Sequence, residues 1–424
     1  MIPGDRLALT IEKPVAGGRM LARHGGAIVL VSGAIPGEVV EAEIENVRRG
    51  TVWARTVRVI DRVPDRIDAE DSACGGNVFA HVRYHRQLLL KRDIVRDAFT
   101  RIARLPLDAE PVIEESPSEG YRMRARLHLV AGRIGFFREG THDWCDPAIT
   151  RQLLPETLVA VRALEAALAS SSSGAVVDIE VAENVPADQR AFHLLLRDHS
   201  DRSRLSSSPR IVDVRGMSCG GLRDGRPRAL WGTAEVTDTF LVPRGTGECP
   251  VTLTRQAHAF FQGNRYLLPT LVGAVSGAVP AGRVLDLYAG VGLFAVALAA
   301  RGDTEVIAVE GDRTAAHDLK FNASRAGGAI EARHQAVEAF LANRRVPLLD
   351  TVIVDPPRTG LTKEALHAVI ALRAARMVYV SCDVATLGRD ARALVDAGYR
   401  LGEVRIFDLF PNTAHVETMV LFER

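Results

Sequence analysis

The spacing of hydrophobic positions in this chain changes character twice. Over residues 1–62 apolar and polar positions alternate in short runs broken by glycine turns. Ala27–Val31, Val39–Ile44 and Thr51–Val59 read as strands, the first two joined through Ile35-Pro36-Gly37. Several short strands between turn signals predict a small OB-like β-barrel. Residues 84–105 carry helical spacing from Tyr84 onward, and Leu153–Ala169 is an Ala/Leu-rich helix that the loop Ser170–Gly174 should end. Strands over Val176–Val181 and Phe192–Leu196 follow, so residues 63–254 form a central α+β domain. From residue 255 the texture is that of buried strands alternating with helices. Val284–Leu287, Val306–Val309, Thr351–Val354 and Met377–Val380 are the strand runs. They predict a Rossmann-like, doubly wound α/β domain over residues 255–424.

Composition sharpens this picture in a few respects. A chain of 424 residues, 47% of them hydrophobic, has material for two or three domains. It contains no apolar run of 18 residues, so no membrane-spanning helix is expected. Its first residues lack the basic-then-apolar pattern of a signal peptide, which predicts a cytoplasmic protein. The five cysteines are scattered and no CxxC occurs, which speaks against a disulfide framework and against a thiolate metal site. Net charge is only +1. The basic residues comprise 49 Arg and 4 Lys. Arginine suits phosphate forks, but GC-biased codons are the simpler cause, so its abundance does not identify a nucleic-acid binder.

Candidate chemistry gathers at the carboxyl ends of the predicted C-terminal strands. Val284–Leu287 runs into Tyr288-Ala289-Gly290-Val291-Gly292 and then a helix from about Phe294. Gly290 and Gly292 let backbone approach a ligand at a helix N-terminus. Glu310 ends the next strand, where an acidic residue holds ribose hydroxyls. The G-V-G-L-F-A stretch admits a dinucleotide fingerprint, yet the D-L-Y-A-G-V-G context favours S-adenosylmethionine, which has no pyrophosphate to clamp. Asp355-Pro356-Pro357-Arg358 follows the third strand and Ser381-Cys382-Asp383 the fourth. Cys382 should therefore stand on the rim of the same cleft. A free thiol ionises near ~8.5, so a nucleophilic role needs a favourable setting, and a helix starting near Ala385 would provide its dipole. A buried inert cysteine is the other reading. Glu417, beside His415, opens the last apolar strand and could act as a general base, or be a surface residue of an edge strand.

Taken together these segments resemble the uracil-5 RNA methyltransferase family. Phe260–Asn264, Asp286–Gly292, Asp355–Arg358, Ser381-Cys382 with Thr386–Asp390, and His415–Glu417 occur in the family's order. The N-terminal barrel resembles the family's TRAM module around Pro36-Gly37-Glu38-Val39. The central segment carries Tyr121-Arg122-Met123-Arg124 and Gly135-Phe136, also similar to the family. The resemblance implies a methyl transfer from S-adenosylmethionine to uridine C5 in ribosomal or transfer RNA. By position, Gln262, Tyr288, Glu310 and Asp355 are its S-adenosylmethionine contacts, with Gly290 and Gly292 in the cofactor loop. Cys382 is its nucleophile and Glu417 its proton-abstracting base. Asp355 would also orient the uracil edge.

The match departs from the family in one chemical respect. Many members hold a 4Fe-4S cluster on four cysteines. Here the first of those positions falls near Asp68, the third on Asn77 and the fourth near Thr150; Cys74 is kept and Cys145 is displaced. Two thiolates cannot hold a cubane, so no cluster and no other metal is expected. Asp383-Val384 also replaces a frequent Asn-Pro, and Ala289 a frequent Cys. For RNA contact, Arg122, Arg124 and Arg126 alternate and would share one face of a strand; internal ion pairs are the competing outcome. Structured RNA is the expected partner, with no membrane and no obligate protein partner. A methyltransferase acting on another nucleic-acid base, or an inactive RNA-binding homologue, remains as the alternative reading.

Overall fold

The computed structural model describes every residue except 172–174, 199–204, 206–209, 222–226 and 343–347. The last part of the expected loop Ser170–Gly174 lies outside the described residues. The chain opens with β1 (Arg6–Pro14), β2 (Met20–His24), β3 (Ala27–Ser32), β4 (Val39–Arg48) and β5 (Thr51–Asp61). They close into a barrel in the order β1-β2-β3-β5-β4. On β4, Val40, Ala42 and Ile44 point inward while Glu41 and Glu43 face out, the period-2 pattern of a half-buried strand. The turn between β1 and β2 approaches the far end of the chain closely. A Cβ on Gly18, whose φ is +84°, would stand 2.2 Å from the Cβ of Ala414. Only glycine fits there.

Helix α1 (Tyr84–Ala98) and the short strand β6 (Val112–Glu114) follow. The central domain comprises β7 (Arg124–Val130), β8 (Arg133–Phe137), β9 (Trp144–Cys145), α2 (Pro155–Ser171), β10 (Val176–Glu183), β11 (Arg190–Leu196), β12 (Gly216–Gly221) and β13 (Arg228–Gly232). Its sheet runs β13-β12-β11-β10-β7-β8-β9. Contrary to the reading of scattered free thiols, Cys74 and Cys145 are joined in a disulfide with their Cα atoms 5.8 Å apart. It ties the loop before α1 to β9. Cysteine spacing misses this pair because 71 residues separate the two in sequence and only the fold brings them together.

The C-terminal domain begins earlier than residue 255. The hairpin β14 (Glu235–Arg244) and β15 (Gly247–Gln256) buries Phe240, Val242, Val251 and Leu253 in the same core as the helices that follow. Those are α3 (Leu268–Ala278), α4 (Leu293–Arg301) and α5 (Arg313–Arg325), interleaved with β16 (Gly282–Leu287), β17 (Thr304–Glu310) and β18 (Ile330–His334). Then come α6 (Val337–Leu341), β19 (Thr351–Val354), α7 (Lys363–Leu372), β20 (Arg376–Ser381), α8 (Val384–Asp396), β21 (Arg400–Phe407) and β22 (Glu417–Glu423). Alternation alone cannot say which sheet a hairpin covers, so the 254/255 boundary drawn from texture falls inside one packing unit. Likewise α1 packs against α8, and β6 joins β21 as the last strand of the C-terminal sheet.

That sheet has the order β18-β17-β16-β19-β20-β22-β21-β6. β18 to β20 are parallel, and β22 inserts antiparallel between β20 and β21. Successive side chains of β16 serve opposite layers: Val284 packs in one core, Leu285 and Leu287 in the other. Strand order reverses between β16 and β19, and ligands of such sheets bind at the carboxyl ends beside that reversal.

Candidate active site

A cavity of about 610 Å³ opens at that point. Gln262, Tyr288, Gly290, Glu310, Asp355, Cys382 and Glu417 all line it. The residues singled out in sequence segments up to 155 positions apart thus meet in one place.

One end of the cavity is built by the β16–α4 loop. Tyr288 and the two glycines hold positive φ, +62°, +58° and +96° in order, which bends the loop back over the sheet. A Cβ on Gly290 would meet nothing within 4 Å, so that backbone is open to a ligand. Gly292 is hemmed in instead; its Cβ would press on Leu319 at 2.9 Å while the residue leads into α4. Glu310 accepts hydrogen bonds from the amides of Gly290 (2.8 Å) and Asp312 (2.5 Å). Burial still holds its carboxyl above the ordinary range. Beneath the loop Asp286 is fully buried, with neither carboxylate oxygen partnered, and its pKa is pushed well up by burial and by Asp355. A sterically open glycine backbone, a carboxylate at the end of the second strand and an apolar floor suit the nucleoside half of S-adenosylmethionine.

The other end holds Cys382 and Glu417. Antiparallel pairing of β20 with β22 sets Ser381 opposite Thr418. The ladder ends there, and the next residue on each side is Cys382 or Glu417; both line the cavity, close enough for the Glu417 charge to act on the thiol. Glu417 is 3% exposed, and its Oε1 has no partner. Burial, then the Asp355 charge, raise its pKa well above the usual carboxylate value, against the pull of Arg358. It lies on an interior strand, not on an edge. Asp355 is raised to about 7 by burial, a hydrogen bond from Gln262 opposing the rise.

The Cys382 thiol departs from expectation. Burial first, and then Glu417 and Asp355, push it up to about 11; Arg358 pulls the other way. Helix α8 does begin two residues later, but Asp383 caps it, accepting from the amides of Ala385 and Thr386 at 3.0 and 2.8 Å. The cap occupies the donors that would have favoured a thiolate, and it adds a negative charge.

The segment 408–417 that delivers Glu417 is fastened from α1. Lys91 donates to the Phe410 carbonyl at 2.9 Å and forms a fully buried ion pair with Asp408. Tyr84 donates to the other Asp408 oxygen at 2.8 Å. Gln87 exchanges two hydrogen bonds of 2.9 Å with Asn412, whose φ is +61°.

The three arginines do share one side of the chain, as alternation predicts, but their charges are largely spent internally. Arg122 donates to Gln152 at 2.6 Å and lies over the Phe136 ring. Arg124 pairs with Glu180 at 3.0 Å and stacks near Phe260. Arg126 pairs with Asp178, leaving half its side chain exposed. The acidic partners sit on β10 beside β7, a pairing that spacing within one strand cannot reveal. Two cavity residues were quoted in motifs without a role: Phe260, 64% exposed at the cavity mouth, and Arg358. Their place inside otherwise apolar or Pro-rich motifs was the available signal. Among the described residues no group of three or more His, Cys, Asp or Glu could hold a metal, and no helix is long and apolar enough to cross a membrane.

Comparison with known proteins agrees with this geometry. Residues 345–424 match the tRNA (uracil-5-)-methyltransferase family and residues 3–57 the TRAM domain. A Pseudomonas putida protein named 23S rRNA (uracil(1939)-C(5))-methyltransferase RlmD is 32% identical, over 99% of this chain and 94% of its own. An uncharacterized RNA methyltransferase of Thermotoga maritima is 30% identical over 97% of each chain. The crystal structure of Pyrococcus abyssi tRNA (uracil-54, C5)-methyltransferase with S-adenosyl-L-homocysteine superposes with a TM-score of 0.76 at 23% identity. It covers 98% of this chain and 100% of its own, which extends the shared fold to barrel, central domain and C-terminal sheet together. With identity of this level along nearly the whole length, the chain belongs to the RNA uracil-5-methyltransferase family.

Proposed function

We propose that the protein methylates C5 of a uridine in ribosomal or transfer RNA through a covalent bond between Cys382 and uracil C6. The observation that carries this reading is that Cys382 and Glu417, the neighbours of the last ladder pair Ser381–Thr418, both line the cavity that Gly290 and Glu310 close at its far end. Gln262, Tyr288, Gly290, Glu310 and Asp355 hold the methyl donor, and Gly292 shapes the turn that presents Gly290 without lining the cavity itself; bound there, S-adenosylmethionine supplies an electrophilic methyl group.

Uracil C5 is too weak a nucleophile to take that methyl unaided. The Cys382 thiolate adds to C6, forming an S–C bond and moving the C5=C6 electron pair into an enolate. C5 then bonds to the methyl carbon, whose bond to the donor's sulfonium sulfur would break with the electron pair staying on that sulfur, so that S-adenosylhomocysteine would leave. Glu417 removes the C5 proton, the double bond re-forms, and the S–C6 bond breaks to return the thiolate. The target base has to leave its stack to reach the cleft. Of the three arginines, Arg126 has the exposure to meet a phosphate, and the barrel adds a second grip.

Two variants test the reading on RNA from a strain lacking the gene. Cys382→Ala should transfer no methyl group. Glu417→Gln should accumulate a protein–RNA adduct stable to denaturing gel electrophoresis. Nucleoside mass spectrometry of the same RNA should show 5-methyluridine restored by the unaltered protein alone, and the labelled RNA names the target. Turnover by Cys382→Ala would refute the covalent route. Absence of any new 5-methyluridine would leave the inactive RNA-binding homologue as the better reading.

A further inference from the structure

A second cavity, of about 380 Å³, adjoins the first, and Cys382 and Arg358 line both. Its volume falls in the range of small-ligand sites. Its walls come from distant parts of the chain: Gly17 of the barrel, Gly76 of the disulfide-tied loop, Glu139, and His415. Gly18 seats the barrel on Ala414, so the barrel wall is held in place against the segment that carries His415. The Arg358 side chain is exposed, and among the described residues its guanidinium forms no ion pair and no side-chain hydrogen bond. Most other arginines near the site are spent on carboxylates or carbonyls. Arg358 therefore keeps its charge for something that arrives.

A uracil presenting C6 to Cys382 remains attached through its ribose to phosphates on both sides. The residues common to the two cavities are those the backbone must pass. We propose that the second cavity binds the nucleotide adjacent to the target uridine, with Arg358 gripping the phosphodiester between them. This rests on the reading of the first cavity as a uridine site. The guanidinium fork matches a phosphodiester's two free oxygens. The His415 ring, edge-on to Phe410 at 5.9 Å, offers a face on which a base can stack. Gly17, with no atom within 4 Å of an added Cβ, leaves the room. Glu139 gives the far wall an acceptor for a base N–H and repels a second phosphate. The barrel then forms part of the substrate site itself.

The test uses the full chain and a synthetic oligoribonucleotide spanning the methylated uridine, either intact or abasic at one neighbour. In the unaltered protein, the abasic change on one side should raise KM about tenfold. Ala16→Trp, which fills the cavity from the barrel side, should raise KM on the intact strand to a similar level. Combined, the two losses should add little, because both empty the same subsite. Arg358→Gln should raise KM, with partial rescue by Arg358→Lys. S-adenosylmethionine affinity, measured by calorimetry, should keep its value in Ala16→Trp and so report an intact fold; should that variant fail to fold, His415→Ala replaces it with the same expectation. An unchanged KM in the cavity variant, or fully multiplicative losses, overturns the subsite. Absence of methyl transfer by the unaltered protein would instead refute the function proposed above, so the two failures read differently.

Discussion

Replacing Lys91 with methionine tests what holds the base-bearing segment in place. Lys91 and Asp408 are both fully buried and form an ion pair, with the Phe410 carbonyl as a second acceptor for Lys91 at 2.9 Å. Burial lowers the Lys91 pKa, and the Asp408 charge works against that. Methionine fills nearly the same volume, so packing changes little. What remains is an uncompensated carboxylate in the interior, with Tyr84 as its donor. Breaking one side of a buried pair costs about 3–5 kcal/mol. At ~2–4 °C per kcal/mol for a unit of this size, the C-terminal transition should fall by roughly 6–20 °C in differential scanning calorimetry. Lys91→Met/Asp408→Asn removes the stranded charge and keeps an acceptor for Tyr84, so most of that stability should return. Methylation should stay impaired in the double variant, because the Phe410 carbonyl has still lost its tether. A fall below ~2 °C in the single variant would show that the pair does not anchor this segment.

Two further outcomes follow from the same geometry. With the thiol pushed up to about 11, adduct formation requires the loss of one proton, that of Cys382, so its pre-steady-state rate should rise roughly tenfold per pH unit from 7 toward 10; a flat profile over pH 6–9 would contradict the assigned environment. Glu310→Gln removes a charged acceptor from the Gly290 amide and should weaken S-adenosylmethionine binding by about 10–100-fold in calorimetry, on the ~1.5–3 kcal/mol scale of charged hydrogen bonds, with little change in melting temperature.

The strand runs of the C-terminal domain were legible because each is a short, predominantly apolar segment ending beside the residues that matter. Tyr288, Glu310, Asp355 and Cys382 could be placed at carboxyl ends of strands before any fold was known. Partnership across the sheet was not legible. Nothing local to Glu417 announces that β22 inserts beside β20, or that the register stops one step short of Cys382. The same blindness applied to the arginines, whose neutralising carboxylates lie on another strand, and to Cys74 and Cys145. In the barrel, β2 is only five residues long and β1 is interrupted by a register shift between Ile11 and Lys13, so both escaped the alternation that revealed β3 to β5. Side-chain period reports which face is buried; it carries no information about what lies across the gap.

The raised thiol also bears on how the reaction can be confined to RNA. For the proposed nucleophile, a thiol pushed up to about 11 stays protonated at neutral pH, which protects it from oxidants and from stray electrophiles. Burial holds it there first, with Glu417 and Asp355 adding to the rise. In the proposed reaction, addition to uracil moves the negative charge from the buried sulfur onto the pyrimidine carbonyl oxygen. The unfavourable interaction is thus strongest in the free enzyme and is relieved as the S–C bond forms, which is the direction in which differential stabilisation favours reaction. Arg358 draws the thiol pKa down, and its exposed guanidinium is free to meet a phosphate. An RNA that engages it loses part of that pull on sulfur, so the relief supplied by uracil itself has to carry the step.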